Sequence, residues 1–215
     1  MGRFIVTIAR GYGSGGRTIA TKLAQELGVS CYDKELLRLA SSQSGINELL
    51  FAKADEKLKN SLLFQIAKAV YTKDILPPDS DSEDRSDDVI SNDRLFAHQE
   101  KVLKGLAEKG SFVVLGRCAD YVLRDYPNLV RVFIHAPFED CVAAEAKHSS
   151  LTLEEIKKYI KAVDKRRAEY YEHYTGRLWN DALNYDLCLN TSAIGRENCV
   201  GLIKEYLKKR LGTIE

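Results

Sequence analysis

Short apolar runs, separated by stretches with helical spacing, recur along most of the chain. Each run holds four to six residues with little polar alternation, which is typical of parallel strands that are covered on both faces. The runs occupy residues 4–9, 29–32, 111–115, 130–135 and 185–189. Strands that alternate with helices in this way predict an α/β fold built on a parallel sheet.

Three helices between these runs have recognisable boundaries. The first is predicted over residues 18–27, the second over residues 92–109 and the third over residues 152–174. Thr152 and Glu155 have the spacing of a capping box, in which the two side chains satisfy the first backbone N–H groups of a helix. The third helix is therefore predicted to begin directly after Thr152.

The segment between the second and third strands follows a different pattern. Residues 46–72 have helical spacing with no strand beside them, so they predict a flap or helical insert rather than another βα unit. Residues 79–88 hold six acids, three serines and one arginine. Such a composition cannot bury a core and predicts an exposed loop.

The stretch GYGSGGRT, from Gly11 to Thr18, lies between the first strand and the first helix, which is the context of a phosphate-binding P-loop. Its glycines let successive backbone N–H groups turn toward one point, where the positive end of the following helix also points. The Thr18 hydroxyl is the group that reaches a phosphate-bound Mg²⁺ in such loops. Arg17 stands where the motif has Lys, and it keeps the charge on a bulkier, planar head group.

The same residues also satisfy a second glycine motif. Gly11, Gly13 and Gly16 match G-x-G-x-x-G, and Asp33 would then be the acid that binds a ribose in a dinucleotide-binding protein. A glycine-rich turn without any ligand is a further alternative. Arg17-Thr18 at the start of the helix favours the phosphate loop over both.

Polar residues that follow the strands are the other candidates, because ligands lie beyond the carboxyl ends of the strands in parallel sheets. This rule groups at one rim the loop at residues 11–18, Asp33, Arg117, Asp120 and Asn190. The third predicted helix adds Arg166 and Arg167, which precede tyrosines at positions 170, 171 and 174. A basic, aromatic helix is also compatible with binding of nucleic acid.

Charge and composition limit these alternatives. The formal net charge is +1, so no global field attracts nucleic acid or an anionic membrane. No apolar run approaches the roughly 20 residues that span a bilayer, and residues 4–9 are too short for a signal peptide. The five cysteines lack the spacing of metal ligands. We expect a cytoplasmic protein with reduced thiols and a single domain over residues 1–215.

In their order along the chain, these motifs resemble the cytidylate kinase-like family, a branch of the P-loop nucleoside monophosphate kinases. The resemblance runs from residue 3 to about residue 207. It is carried by the loop at 11–18, Tyr32-Asp33, Gly116-Arg117, residues 132–136, Asp164 with Arg167, and residues 190–192. It implies a three-layer P-loop kinase core with a five-stranded parallel sheet, a helical insert at about 34–91 that binds the nucleoside monophosphate, and a small helical lid at about 150–176.

The resemblance also implies site residues, with ATP and Mg²⁺ as cofactors and nucleotides as the partners. The ATP phosphates would lie on Gly11, Gly13, Ser14, Gly15, Gly16, Arg17 and Thr18, with Thr18 on the metal and Asn190 near the adenine. Asp33, Arg117, Asp120 and Asp164 would form or orient the acceptor site. Arg17, Arg166 and Arg167 would meet the phosphoryl group during transfer.

Two departures from true cytidylate kinases fall on groups that handle the γ-phosphate. Arg17 replaces the loop lysine, and Ile160-Lys161 stands where their lid has an arginine about one turn before the acid. The leading hypothesis is an ATP·Mg²⁺-dependent kinase for a nucleoside monophosphate, CMP or dCMP first. The alternatives are a nucleotide-binding sensor with little or no catalysis, a kinase for another small phosphate acceptor, and, more remotely, an NAD-dependent enzyme.

Overall fold

A computed structural model describes residues 3–33 and 92–212 of the chain. The predicted helical insert and the acidic loop at 79–88 lie outside the described residues. The chain forms two compact units, one of Met1–Tyr32 with Ser111–Glu215 and the other of Asp33–Gly110. The second unit extends beyond the predicted insert at 34–91, because it also includes the helix that follows.

The first unit is built on a five-stranded parallel sheet. Its strands are β1 (Ile5–Arg10), β2 (Ser30–Tyr32), β3 (Phe112–Leu115), β4 (Leu129–His135) and β5 (Leu187–Asn190). Their order is β2-β3-β1-β4-β5, and every neighbouring pair is parallel. This confirms the predicted α/β fold and places β1, which leads into the glycine loop, at the centre of the sheet.

Seven α-helices are found in the described parts of the chain. They are α1 (Gly16–Glu26), α2 (Asn92–Lys109), α3 (Ala119–Val122), α4 (Phe138–Ala146), α5 (Leu153–Thr175), α6 (Thr191–Ile194) and α7 (Arg196–Leu211). Helix α2 belongs to the second unit and the other six to the first. None of these helices is long and apolar enough to cross a membrane.

The main core joins the sheet to helices α1 and α7. Val6 and Ile8 of β1 are fully buried in one cluster with Ile19 and Leu23 of α1 and with Ile203 of α7. Ile19 and Leu23 are four residues apart, so they share one face of α1. Burial of this face fixes α1 against the sheet, and its first turn therefore has a defined position beyond the end of β1.

The observed boundaries agree with most sequence-based ones and correct others. The capping box is present, since Thr152 Oγ1 accepts from the Glu155 N–H and Glu155 Oε2 accepts from the Thr152 N–H. Helix α1 begins at Gly16 rather than at residue 18. Strand β5 begins at Leu187 rather than at residue 185, because a 3₁₀ turn over Ala182–Asn184 leads into it.

Arg131 of β4, Asp186 directly before β5 and Arg210 of α7 form a cluster of charges that the sequence did not reveal. Asp186 accepts two hydrogen bonds from the Arg131 side chain, at 2.9 and 3.2 Å, and Arg210 Nη1 lies 3.1 Å from its Oδ2. Burial opposes ionisation of Asp186, but these hydrogen bonds and charges outweigh it and hold the pKa of Asp186 below its usual range. The carboxylate therefore stabilises the edge of the sheet.

We expect Asp186→Asn to lower the free energy of unfolding by about 2 kcal/mol near pH 7, because the half-buried Arg131 loses its charged partner. A lowered pKa means that the carboxylate's contribution is present above the ordinary Asp pKa of about 3.9 and is lost as the pH falls below it. The difference between wild type and variant should therefore shrink near about pH 3. Urea unfolding at both pH values measures it.

Asp125→Asn is the matched control, because the Asp125 side chain is 83% exposed and its Oδ2 comes no closer than 4.0 Å to Arg124 Nη2. Exposed pairs of this kind contribute little to stability. A loss in Asp186→Asn that is equally large at both pH values would contradict the electrostatic explanation and point to packing alone.

Candidate active site

The glycine loop connects β1 to α1 and has the backbone of an anion-binding turn. Gly13 and Gly15 have φ of 79° and 81°, a left-handed conformation that glycine adopts without strain. The Gly11 N–H donates to Ile134 O at 3.0 Å, and Ser14 Oγ donates to Gly11 O at 2.8 Å. The loop is thus closed on itself and on β4, with the N-terminus of α1 directly behind it.

Three loop glycines lie close against neighbouring residues. A Cβ atom at Gly13 would lie 2.7 Å from Cys141 Cβ, and one at Gly16 would lie 2.6 Å from Arg10 Cβ. A Cβ atom at Gly15 would lie 3.0 Å from the guanidinium carbon of Arg196. Gly13 and Gly16 therefore meet neighbours that cannot move aside, whereas at Gly15 the flexible Arg196 side chain would have to move and the positive φ favours glycine.

Arg17 and Thr18 lie in the first turn of α1, and both are exposed. Their side chains line an open depression together with Thr21, Lys22 and Gln25. No group of three or more His, Cys, Asp or Glu residues that could bind a metal occurs among residues 3–33 and 92–212.

Asp164 joins helix α5 to the glycine loop. Both of its carboxylate oxygens accept from the Tyr12 N–H, at 2.9 and 3.1 Å, and Oδ1 also accepts from Arg167 Nη1 at 2.9 Å. Arg167 Nη1 donates in addition to the backbone oxygen of Arg10 at 3.0 Å. Burial raises the pKa of Asp164, although the Tyr12 N–H and the Arg167 charge act in the opposite direction.

Tyr12 fills the space between the loop and two helices. Its ring packs edge-on against Tyr159 at 5.3 Å, and the Arg167 guanidinium lies 5.7 Å from its centroid. The hydroxyl donates to Glu145 at 3.2 Å. Burial, followed by the charge of Glu145, raises the pKa of Tyr12 to about 12, so the phenol stays protonated at neutral pH. Arg166, by contrast, is exposed on α5.

The end of β3 carries a run of three residues in the left-handed region. The φ angles of Gly116, Arg117 and Cys118 are 64°, 60° and 54°. Left-handed non-glycine residues cost of order 1 kcal/mol or more each and cluster at functional sites. The turn brings the Arg117 guanidinium to 5.3 Å from the centre of the Tyr170 ring on α5.

Asp120 is buried beneath α5. Only 6% of its surface is exposed, and Oδ2 accepts from the Tyr171 hydroxyl at 2.6 Å. Burial raises the pKa of Asp120, although the hydrogen bond from Tyr171 acts in the opposite direction. Asp120 lies in the first turn of α3, the short helix that follows β3. Its carboxylate therefore supports α5 from below.

The other two predicted site residues lie elsewhere. Asn190 caps the short helix α6, where its side-chain oxygen accepts from the Ser192 N–H at 3.1 Å. Asp33 follows β2, is half-buried and is the first residue of the second unit. The structure thus brings together residues of the loop, the end of β3 and α5, whereas any contact of Asp33 with ligand stays a prediction.

Two residues beside the loop, Arg10 and Arg196, were not predicted from the sequence, and Thr191 was predicted only as part of the loop at residues 190–192. Arg10 ends β1 and passes beside Gly16, Thr191 Oγ1 donates to Ser14 O at 2.9 Å, and Arg196 packs on Gly15. No local pattern marks them, because each acts on the loop from a different element. Arg10 is the one with a usable signal, since a charged residue at the end of a buried central strand requires a polar surrounding.

Comparisons with solved structures give the fold context. An uncharacterized protein from Eubacterium ventriosum ATCC 27560 shares 23% identity and superposes with a TM-score of 0.70, covering 97% of this chain and 100% of its own. Shikimate kinase from Bacteroides thetaiotaomicron has 12% identity, a TM-score of 0.49 and coverage of 96% and 99%. Shikimate kinase from Acinetobacter baumannii, in complex with shikimate, has 12% identity and a TM-score of 0.46, and the match covers 97% of this chain and 96% of that one.

No curated protein sequence matches the chain significantly. The profile of one protein family, however, matches residues 5–193, which are most of its length and include the glycine loop, Asp164 and Arg167. Together with the parallel sheet in the order β2-β3-β1-β4-β5, this match confirms the expected P-loop kinase core. The chain belongs to the cytidylate kinase-like family.

Proposed function

We propose that the protein transfers a phosphoryl group from ATP·Mg²⁺ to a nucleoside monophosphate, with CMP or dCMP as the first candidate. Membership of a kinase-like family supports phosphoryl transfer in general. The observation that carries the proposal is the closed glycine loop, whose backbone is enclosed on one side by Cys141, Arg10 and Arg196 and is followed by a helix N-terminus. Such an arrangement suits anions such as the phosphate groups of a nucleotide.

ATP fits the loop chemically. Its phosphates would accept from the N–H groups of residues 13–18, and Thr18 would contribute its hydroxyl to the Mg²⁺ coordination. When bound, ATP would supply the phosphoryl group and the metal would neutralise part of its charge. Arg17 in the first turn of α1 adds a positive charge beside this cradle.

Helix α5 contributes the second cluster of functional groups. Arg167 is held by Asp164 and by the backbone of Arg10, so its guanidinium has a fixed position next to the loop. Phosphoryl transfer depends mainly on positioning and on cations near the spreading negative charge. We therefore assign Arg167 as the main cation of α5, Asp164 as the residue that positions it, and exposed Arg166 as a lesser contributor.

The acceptor would lie toward the end of β3. Arg117 is held over Tyr170 by a strained turn, and it is our candidate for the acceptor phosphate. We assign buried Asp120 to supporting α5 through Tyr171 rather than to substrate contact. Asp33 is kept as a candidate for the acceptor's sugar or base, and Asn190 for the region near the adenine.

A sensor that binds nucleotide without turnover is the second candidate, and Arg17 in place of lysine favours it. Measuring ADP production from ATP and Mg²⁺ across a panel of monophosphates, with Arg17→Ala and Arg17→Lys alongside, separates the two. For a kinase, we expect turnover with CMP or dCMP that Arg17→Ala lowers by about tenfold, because it removes an exposed positive charge from the first turn of α1. Arg17→Lys should retain or raise it, because lysine keeps the charge on a more compact head group.

ATP binding with no turnover in wild type or Arg17→Lys would reject the kinase for this panel and support the sensor. Turnover with a different small acceptor only would keep the kinase and reject CMP. Nicotinamide fluorescence that changes on mixing with NADH would instead favour the dinucleotide alternative.

Arg167→Gln tests whether Arg167 is the main cation that α5 contributes to phosphoryl transfer. Loss of a fixed cation from the reacting phosphoryl group should lower kcat by about a hundredfold or more. Lys165→Gln is the control on the same helix, because Lys165 is 76% exposed and pairs only loosely with Glu169, at 3.7 Å. Steady-state kinetics on both variants provide the measurement, and equal kcat values for both would contradict the assignment.

Gly13→Ala tests the loop. The methyl group would clash with Cys141 at residue 13, whereas Gly28 has a similar φ of 64° and a Cβ atom there would meet nothing within 4 Å. Gly28→Ala therefore carries the same backbone strain without the clash. We expect Gly13→Ala to weaken ATP binding about tenfold or more and Gly28→Ala to leave it unchanged. Calorimetric titration measures both, and unaltered binding by Gly13→Ala would rule out the loop as the phosphate site.

A further inference from the structure

Arg10 is a charged residue of the rim for which the motif assigns no role. It is the last residue of the central strand, and its side chain begins beside the first residue of α1, where a Cβ atom at Gly16 would lie 2.6 Å from its own Cβ. From there it reaches the next strand, because a Cβ atom at Gly116 would lie 2.5 Å from Arg10 Nη1. The guanidinium thus lies between the glycine loop and the end of β3.

The surroundings of Arg10 keep its charge and fix its position. Its backbone oxygen accepts from Arg167, so the two arginines are held next to each other. Its positive charge acts on the carboxylate of Asp164, which also binds the Tyr12 N–H of the loop. Glycine at position 116, with φ of 64°, leaves the space that the guanidinium occupies. The carboxylate of Asp164 therefore interacts with the charges of both Arg10 and Arg167.

The proposed placement of the adenine near Asn190, which ends β5, sets the end of a bound nucleotide that this cluster would face. On the β4 and β5 side, the loop is contacted by Thr191, through Ser14 O, and by Arg196, at Gly15. Arg10 occupies the opposite side, toward β3. A row of phosphates that enters from the β5 side would therefore place its last phosphoryl group nearest to Arg10.

We propose that the Arg10 guanidinium binds the terminal phosphoryl group of ATP and supplies the cation that the loop lysine supplies in other P-loop proteins. Arg17 is exposed in the first turn of α1 and lines an open depression with Thr18 and Thr21, whereas Arg10 lies at the rim between the loop and β3. A planar guanidinium can donate two hydrogen bonds to one phosphoryl group. This inference rests on the proposed function and specifies how its site handles the charge of the transferred group.

The test compares binding of a triphosphate with binding of a diphosphate. A non-hydrolysable ATP analogue and ADP, each with Mg²⁺, are titrated calorimetrically into wild type, Arg10→Gln and Arg10→Lys. Only the triphosphate has the terminal group. Arg10→Gln should therefore lower the affinity for the analogue by about tenfold or more, while the affinity for ADP changes by less than about twofold. Arg10→Lys should lie between wild type and Arg10→Gln, since it keeps the charge without the fork.

Arg124→Gln is the control, because Arg124 is an exposed arginine that stacks on Tyr121 and should leave both affinities unchanged. Thermal unfolding of each variant reports whether the loop is intact. Gly116→Ala gives an independent check, since its methyl group would displace the guanidinium without removing the charge, and the same selective loss is expected.

If Arg10→Gln lowered the affinities for the analogue and for ADP equally, or lowered neither, the inference would be overturned. Arg10 would then be only a structural partner of Asp164. Wild-type protein that binds neither nucleotide would overturn the proposed function and this inference together. Wild-type protein that binds the analogue but turns over no acceptor would reject the kinase alone, and a selective loss in Arg10→Gln would still support the role of Arg10 at the terminal phosphoryl group.

Discussion

The site depends on the absence of space behind the glycine loop. Cys141 from α4 and Arg10 from β1 approach Gly13 and Gly16 so closely that no side chain fits between them, and the Arg196 side chain from α7 packs on Gly15. Packed interiors transmit such constraints, because neighbouring elements cannot move independently without losing contact. The loop is consequently held from three elements at once, and its backbone N–H groups are positioned before any ligand arrives.

Helix α5 is held in two different ways along its length. Near its start, Ile156 and Ile160 are buried in a small apolar cluster with Cys141 and Val142 of α4. Further along, the helix is attached by hydrogen bonds and charges through Asp164, Arg167 and Tyr170, and by the buried Tyr171, which packs in the core and also donates to Asp120. Apolar packing fixes the helix to the body of the unit, while the polar contacts orient the groups that face the loop and the end of β3.

Local patterns in the sequence were enough for the fold and for the loop. The strands are visible because each is a compact apolar run, and the loop because its glycines are adjacent. Asp164 and Arg167 are three residues apart, so their pairing was also within reach, but the bond from Asp164 to the Tyr12 N–H joins residues 152 positions apart. No single-sequence pattern encodes such a contact. The ion pair between Arg131 and Asp186 could not be predicted for the same reason, because β4 and β5 become neighbours only in the folded sheet.

Arg10 shows why the spacing of a motif underestimates a site. A motif describes the residues that are contiguous with the loop, whereas a phosphate is surrounded by whatever the fold brings to the same rim. With a net charge of only +1, the chain attracts anions through local arrangement rather than through its overall field. Arg10, Arg167 and Arg196 come from three different elements and lie around one loop. A guanidinium is always charged at physiological pH, so the replacement of lysine by Arg17 need not reduce the positive charge of the site; it changes where that charge is located.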